Sequence, residues 1–184
     1  MKKIISFFKR VYRISVNFEK QEKLVWEDMI KLHNESDWRS GIYEKERTIE
    51  SVFTIAPELP RVYYYQIYNW KYHCRVKILE QFPIELTTDA FILAAHFNNI
   101  LNRGKVIVNV QQNYVEFHMD PDLSVPLLYP ATLYSELLDH HRLSQDIYAA
   151  YDRLISENEA PAIIIADLLK KHNEKNQDQE KGSE

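Results

Sequence analysis

The stretch TTDAFILAAHFNNILNRGKVIVNV, residues 87–110, decides the fold class. Its opening Thr-Thr-Asp is typical of a helix start, and apolar side chains then occupy nearly every side of a predicted helix over residues 89–102. Gly104 ends that helix, and residues 105–110 are predicted to form a β-hairpin with residues 114–119. A helix that is apolar all round predicts burial against a sheet face or in a subunit interface.

Pro121 and Pro126 are predicted to break the chain after the hairpin, and two further helices are predicted to follow. Pro130 stands where a first helical turn tolerates proline, and the helix over residues 130–157 has an apolar stripe that includes His141. A last helix is predicted over residues 161–171, because a proline again opens it. Residues 173–184 are polar and predict a disordered tail.

Three predicted strands precede this stretch, at residues 48–56, 61–68 and 70–82. Two helices come before them, over residues 2–14 and 18–33, and the polar residues 33–47 read as a loop. Strands grouped between helices predict an α+β fold, in which an antiparallel β-meander and a β-hairpin have flanking helices.

Charge and pattern divide the chain into three parts. Residues 1–16 carry five basic residues and no acid, which predicts a basic amphipathic N-terminal arm. Residues 17–172 predict a single α+β domain, since a chain of 184 residues with 45% hydrophobic residues can build one core. Residues 173–184 form the tail.

Composition excludes several classes of protein. Three glycines are too few for a phosphate-cradling P-loop or a dinucleotide fingerprint. The single cysteine, Cys74, excludes an internal disulfide and a multi-cysteine zinc site, and it fits a reducing compartment. No apolar run reaches the ~18 residues of a membrane span. We therefore expect a cytoplasmic protein, at most peripheral to the inner face of a membrane, without a cofactor or metal.

The order of elements resembles the YbjN family, whose fold is similar to that of type III secretion chaperones. The segment at residues 87–110 looks like the family's central helix and strand pair. The segment SQDIYAAYDRLISENEAPAIIIADLL, residues 144–169, looks like its C-terminal helices. The resemblance implies a dimeric, protein-binding module without a known cofactor, as in bacterial sensory transduction regulators. The basic N-terminal arm is a departure from the family pattern.

An aromatic cluster on the second and third predicted strands is the first candidate site. Its proposed protein-binding side chains are Tyr63, Tyr65, Tyr68 and Trp70, because tyrosine and tryptophan favour interfaces. Core packing and cross-strand pairing would use part of the cluster. Aromatic rings on a sheet can also stack on bases, but the nearby basic residues lack an RNA-binding pattern, so a nucleic-acid partner is disfavoured.

The N-terminal arm is the second candidate site. Its proposed contacts are apolar and basic side chains of one helix: Phe7, Phe8, Val11, Lys9, Arg10 and Arg13. Three roles stay open. The arm can pack on its own domain or a dimer mate, it can contact an anionic membrane surface, or it can dock on a partner.

Scattered polar residues give only weak catalytic or metal-binding hypotheses. Glu136 and His140 are four residues apart on one helix face, a spacing that can ligate a metal, but no second element supplies partners. Cys74 and His73 are strand neighbours on opposite faces, so His73 cannot activate the thiol. A diffuse enzyme site would require one shared pocket for His118, Glu116, His140 and Asp139.

The sequence thus favours a non-enzymatic, protein-binding module of the chaperone or adaptor type, expected as a homodimer with an unidentified polypeptide partner. A peripheral membrane adaptor that uses residues 1–16 is the first alternative. An enzyme with an unrecognised site is the second, since a fold by itself never excludes chemistry.

Overall fold

The computed structural model describes residues 2–170 and has an α+β fold, as the sequence predicts. Its strands are β1 Ser40–Tyr43, β2 Thr48–Ala56, β3 Leu59–Tyr68, β4 Lys71–Leu79, β5 Lys105–Asn109 and β6 Tyr114–Met119. Its helices are α1 Lys2–Ser15, α2 Phe18–Glu35, α3 Thr87–Ile100 after a 3-10 turn at Ile84–Leu86, α4 Ser124–Leu128 and α5 Thr132–Ser156. Residues 161–170 are also helical.

The strands form one six-stranded antiparallel sheet in the order β1-β2-β3-β4-β6-β5. Side chains alternate between its two faces, as strand geometry requires. In β3, Tyr63, Tyr65 and Ile67 are buried, whereas Val62 and Tyr64 are exposed. We call the side of Tyr63 the covered face and the side of Tyr64 the open face.

Helices α2, α3 and α5 pack against the sheet, and buried side chains show that they do so on the covered face. The Tyr63 hydroxyl lies 2.7 Å from Ser144 Oγ in α5. The Tyr151 hydroxyl donates a 2.8 Å hydrogen bond to the Ala90 carbonyl, which joins α5 to α3. Val25 and Met29 of α2 are fully buried in the same core. The sheet therefore has its core on one side.

Several predicted elements are confirmed, and their bounds differ by a few residues at most. Strand β2 spans Thr48–Ala56 and β6 spans Tyr114–Met119, as predicted. Helix α3 begins and ends two residues earlier than predicted. The last predicted helix is present from residue 161 to 170, while its end at Lys171 and the tail at residues 173–184 lie outside the described residues.

Two predictions of irregular structure were wrong. The loop assigned to residues 33–47 contains β1, a strand of four residues that pairs with β2. Such a short strand shows almost no alternation, so its pattern could not be read. Pro126 was expected to break the chain, yet it lies in the first turn of α4, where a missing N–H costs no helical hydrogen bond.

Helix α3 was expected to be buried against a sheet face or in a subunit interface, and in the described chain one of its faces packs against the sheet. Ala90, Leu93, Ala94 and Phe97 form its buried face. Phe91 and Ile92 remain 47% and 44% exposed. The helix is apolar on several sides because it combines a core face with an uncovered apolar face.

Gly104, between α3 and β5, predicts a stability effect. Its φ is +90°, and a Cβ there would lie 2.6 Å from the His118 carbonyl oxygen. We expect Gly104→Ala to lower the free energy of unfolding by roughly 2 kcal/mol or more, from strain and displaced backbone. Urea denaturation followed by circular dichroism measures this loss.

Gly41→Ala is the matched control. A Cβ at Gly41 has only ordinary contact, at 3.4 Å, with the Tyr43 side chain. We expect its free energy of unfolding to stay within about 0.5 kcal/mol of wild type. Equal losses in the two variants would contradict a special backbone requirement at Gly104.

Candidate functional site

The open face of the sheet carries a groove of about 480 Å³ across β3 and β4. The sheet groove, as we call it, is lined by aromatic, amide and charged side chains, among them Tyr64, Gln66, His73, Arg75, Lys77 and Glu116. Apart from His73, these side chains are exposed or half-buried. The groove thus presents both ring surface and hydrogen-bonding groups to solvent.

Tyr64 and Arg75 form the centre of the groove, because they lie directly opposite each other in the β3–β4 register. The Arg75 guanidinium donates a 3.3 Å hydrogen bond to the Tyr68 hydroxyl. No carboxylate of residues 2–170 forms a salt bridge with Arg75. This guanidinium therefore keeps donors available for an acidic ligand.

Beside Arg75, the side chain of Tyr68 is held in place by a stacked pair of rings. Tyr68 stacks on His73 with 3.8 Å between the ring centroids. His73 Nδ1 in turn lies 2.6 Å from a carboxylate oxygen of Asp120. These contacts fix the position of Tyr68. The Tyr68 hydroxyl in turn orients the Arg75 guanidinium, which donates a hydrogen bond to it.

Charged side chains at the other end of the groove are largely paired. Lys77 lies over the Tyr114 ring at 4.7 Å and 3.9 Å from Glu80. A carboxylate oxygen of Glu116 lies 2.9 Å from His118 Nε2. Arg75 and Arg61, which also lines the groove, are the groove cations that form no salt bridge with a carboxylate of the described residues.

The structure removes two of the predicted protein-binding aromatics. Tyr63 and Tyr65 are fully buried on the covered face, so they cannot reach a partner. Tyr68 is half-buried at the groove, and Trp70 is half-buried against Phe18 with ring centroids 5.2 Å apart. The predicted set of protein-binding aromatics therefore combined side chains from the covered face of the sheet with side chains outside it.

Sequence reasoning missed Tyr64 and Arg75 as groove residues. Three consecutive tyrosines occupy residues 63–65, so residue type does not reveal which ring is buried. A signal was nevertheless available. In the third predicted strand, Tyr72, Cys74, Val76 and Ile78 alternate with polar residues, and all four are buried, which places Arg75 on the opposite face.

The predicted arm residues lie on α1, which packs beside α2 and α4. Arg13 donates to the Leu127 carbonyl and to the Asp28 carboxylate. The Arg10 guanidinium lies 4.6 Å from the centre of the Tyr129 ring. The first of the three roles is therefore present in the structure, because the arm packs on its own domain. Five of the six predicted arm side chains are exposed, namely Phe7, Phe8, Lys9, Arg10 and Val11, and Arg13 is half-buried.

The predicted enzyme residues do not share a pocket. Glu116 and His118 contact each other on the open face. His140 is fully buried on the covered side, and Asp139 is exposed on α5. This grouping therefore cannot form one catalytic site.

No metal-binding cluster is present within residues 2–170, where no three His, Cys, Asp or Glu side chains are placed to hold an ion. Glu136 is buried, but it accepts a 2.6 Å hydrogen bond from Arg103. The Cys74 thiol is fully buried, and burial raises its pKa, so it remains protonated near neutral pH.

The core histidine is His140, whereas the sequence favoured His141. The His140 ring stacks on Phe117, with centroids 5.2 Å apart, and its edges face Tyr63 and Tyr65. His141 is half-buried, and its Nδ1 lies 3.0 Å from the Tyr63 hydroxyl. Both histidines fall near the apolar stripe of α5, so helical spacing alone did not distinguish them.

A pH dependence of stability follows from His140. Burial lowers the pKa of its ring to about 3, below the usual value near 6.5 of an unfolded chain. Between these values the unfolded state binds the extra proton, so the free energy of unfolding falls as pH falls, by up to ~1.4 kcal/mol per pH unit.

We expect His140→Phe to reduce this acid sensitivity by about one proton's slope. The variant keeps an aromatic ring on Phe117, and neither nitrogen of His140 has a hydrogen-bond partner among the described residues. Urea denaturation between pH 7 and pH 4.5 measures the slope. If wild type and variant lost stability in parallel, His140 would not be the acid-sensitive group.

Comparison of the chain with family models, with curated proteins and with solved structures found no match. The resemblance to the YbjN family therefore stays a prediction.

Proposed function

We propose that the protein is a non-enzymatic adaptor that binds an extended segment of another polypeptide in the sheet groove. The observation that carries this proposal is the pairing of Tyr64 and Arg75 at the centre of a sheet face that no described helix covers. An aromatic ring beside a guanidinium offers apolar contact and directional hydrogen bonds together, the combination that protein interfaces favour.

The charges of the groove indicate the chemistry of the partner. Arg75 makes no salt bridge with a described carboxylate, while Lys77 has Glu80 and Glu116 has His118 nearby. A carboxylate on the incoming chain would accept hydrogen bonds from the remaining N–H groups of the Arg75 guanidinium. An apolar or aromatic neighbour of that carboxylate would lie on Tyr64. The proposed ligand is therefore a short acidic segment that contains an apolar or aromatic residue.

The element order supports an architecture of the YbjN and type III secretion chaperone kind, in which a sheet and its helices present surfaces to other polypeptides. The meander, central helix, hairpin and terminal helices occur in the order that suggested this resemblance. A cytoplasmic location is part of the same proposal. It is supported by the single, fully buried cysteine, which fits a reducing compartment.

We also propose that two copies associate through α3. Phe91 and Ile92 are neighbours on this helix and expose 47% and 44% of their surface. Apolar side chains grouped on an uncovered helix face are typical of homodimer interfaces. This surface is separate from the sheet groove, so a dimer would leave two grooves accessible.

Selection from a phage-displayed library of random peptides tests the groove. We expect selected peptides to combine acidic with aromatic or apolar residues. The substitutions Arg75→Ser and Tyr64→Ser should each lower the affinity for a selected synthetic peptide by roughly tenfold or more, because each removes a central contact. Fluorescence polarisation measures this affinity.

Arg142→Ser and Tyr134→Ser are the matched controls, since both side chains are exposed on α5. They should leave peptide affinity unchanged. Failure to select any peptide, or equal affinity in the groove variants, would contradict the proposed function.

Sedimentation equilibrium tests the dimer. We expect the full chain to dimerise at micromolar concentrations, and Phe91→Ser combined with Ile92→Ser to shift it to monomer, because the pair loses apolar contact area. Phe7→Ser combined with Phe8→Ser, on α1, should leave the dimer intact. A monomeric wild type would disprove the dimer without affecting the peptide experiment.

A further inference from the structure

Helix α1 is attached to the domain by its polar side. Arg13 reaches both the Leu127 carbonyl of α4 and the Asp28 carboxylate of α2. Arg10, three residues earlier, covers the Tyr129 ring, and Ser6 is half-buried on the same side. Positions i, i+4 and i+7 share one face of a helix, so these three residues define the face toward the domain.

The apolar side chains of α1 point away from the domain. Ile4, Phe7, Phe8 and Val11 lie on the opposite side of the helix and are between 40% and 64% exposed. The usual arrangement of a surface helix is thus reversed, because amphipathic helices normally bury their apolar stripe in the core. A contiguous exposed apolar surface of this kind marks an interaction site.

Charge identifies the occupant of this surface. Residues 1–16 contain five basic residues and no acid. Lys9 is exposed beside the apolar face. A second copy of α1 on this face would bring together two helices of like charge, whereas an anionic surface would be attracted. Phenylalanine next to lysine or arginine is also the composition of helices that lie in membrane interfaces.

We propose that α1 docks on an anionic phospholipid bilayer, in the plane of the interface. Ile4, Phe7, Phe8 and Val11 enter the boundary between headgroups and acyl chains, and Lys9 contacts lipid phosphates. The contacts of Arg13 hold the helix in the orientation that exposes these side chains. The protein would then carry its partner-binding groove to a membrane surface.

The dimensions of α1 agree with this placement. Among the helices of residues 2–170, none combines the length and apolar composition needed to cross a bilayer. A helix of 14 residues spans roughly 21 Å at 1.5 Å per residue, which suits a helix lying along the interface.

Co-sedimentation of the full chain with vesicles tests the proposal. One set of vesicles is phosphatidylcholine alone, and the other contains phosphatidylglycerol in addition. We expect binding to the anionic vesicles, weaker binding to the neutral ones, and a decrease as salt rises. Phe7→Ser combined with Phe8→Ser should weaken anionic vesicle binding by roughly tenfold or more, because exposed rings no longer insert.

Two further variants keep the experiment decisive. Leu138→Ser combined with Ile163→Ser removes two exposed apolar side chains that belong to neither the sheet groove nor the proposed dimer surface, and this variant should bind vesicles like wild type. Lys9→Glu reverses one charge without touching the core and should weaken only the salt-sensitive part of binding. Circular dichroism of each variant establishes that it is folded.

Three outcomes would overturn the proposal. The first is that the full chain does not bind anionic vesicles, and the second is that the Phe7 and Phe8 variant binds them as well as wild type. The third is an oligomer, seen by sedimentation equilibrium, that this variant disperses, which would assign the surface to a second copy. None of these results bears on peptide selection at the sheet groove.

Discussion

The hydroxyl of Tyr63 joins the two layers of this protein. Tyr63 lies on the central strand β3 and is fully buried. Its hydroxyl contacts Ser144 and His141, both of which belong to α5. Because burial raises the pKa of Tyr63 to about 12, the hydroxyl keeps its proton and can serve as a donor. These contacts fix the long helix over the covered face, and they leave the opposite face of the same strands for Tyr64 and its neighbours.

Long elements with a clear period could be predicted from the sequence. The alternation of residues 48–56 predicted the bounds of β2. Helical spacing predicted each end of α2 and α5 to within two residues. Strand β1 could not be predicted, because it has only four residues and its sequence contains Gly41. Its place depends on pairing with β2, for which local sequence holds no signal.

The surfaces were predicted less well than the fold. Periodicity separated the apolar and basic sides of α1, but it could not show which side packs on the domain. That choice depends on Asp28 and on the Leu127 carbonyl, which belong to distant elements. In the aromatic cluster, tyrosines occupy both faces of β3, so only the strand's phase, set by its pairing with β4, distinguishes core from groove.

The order of the strands has a consequence for how the sheet avoids self-association. The outermost positions are occupied by β1 and β5, which have four and five residues, whereas β2, β3 and β4 have nine or ten. Short edge strands offer few unpaired backbone groups to another sheet, which limits edge-to-edge aggregation. Of the long strands, β3 and β4 have a strand on each side, and β2 is covered by β1 over Thr48–Ser51.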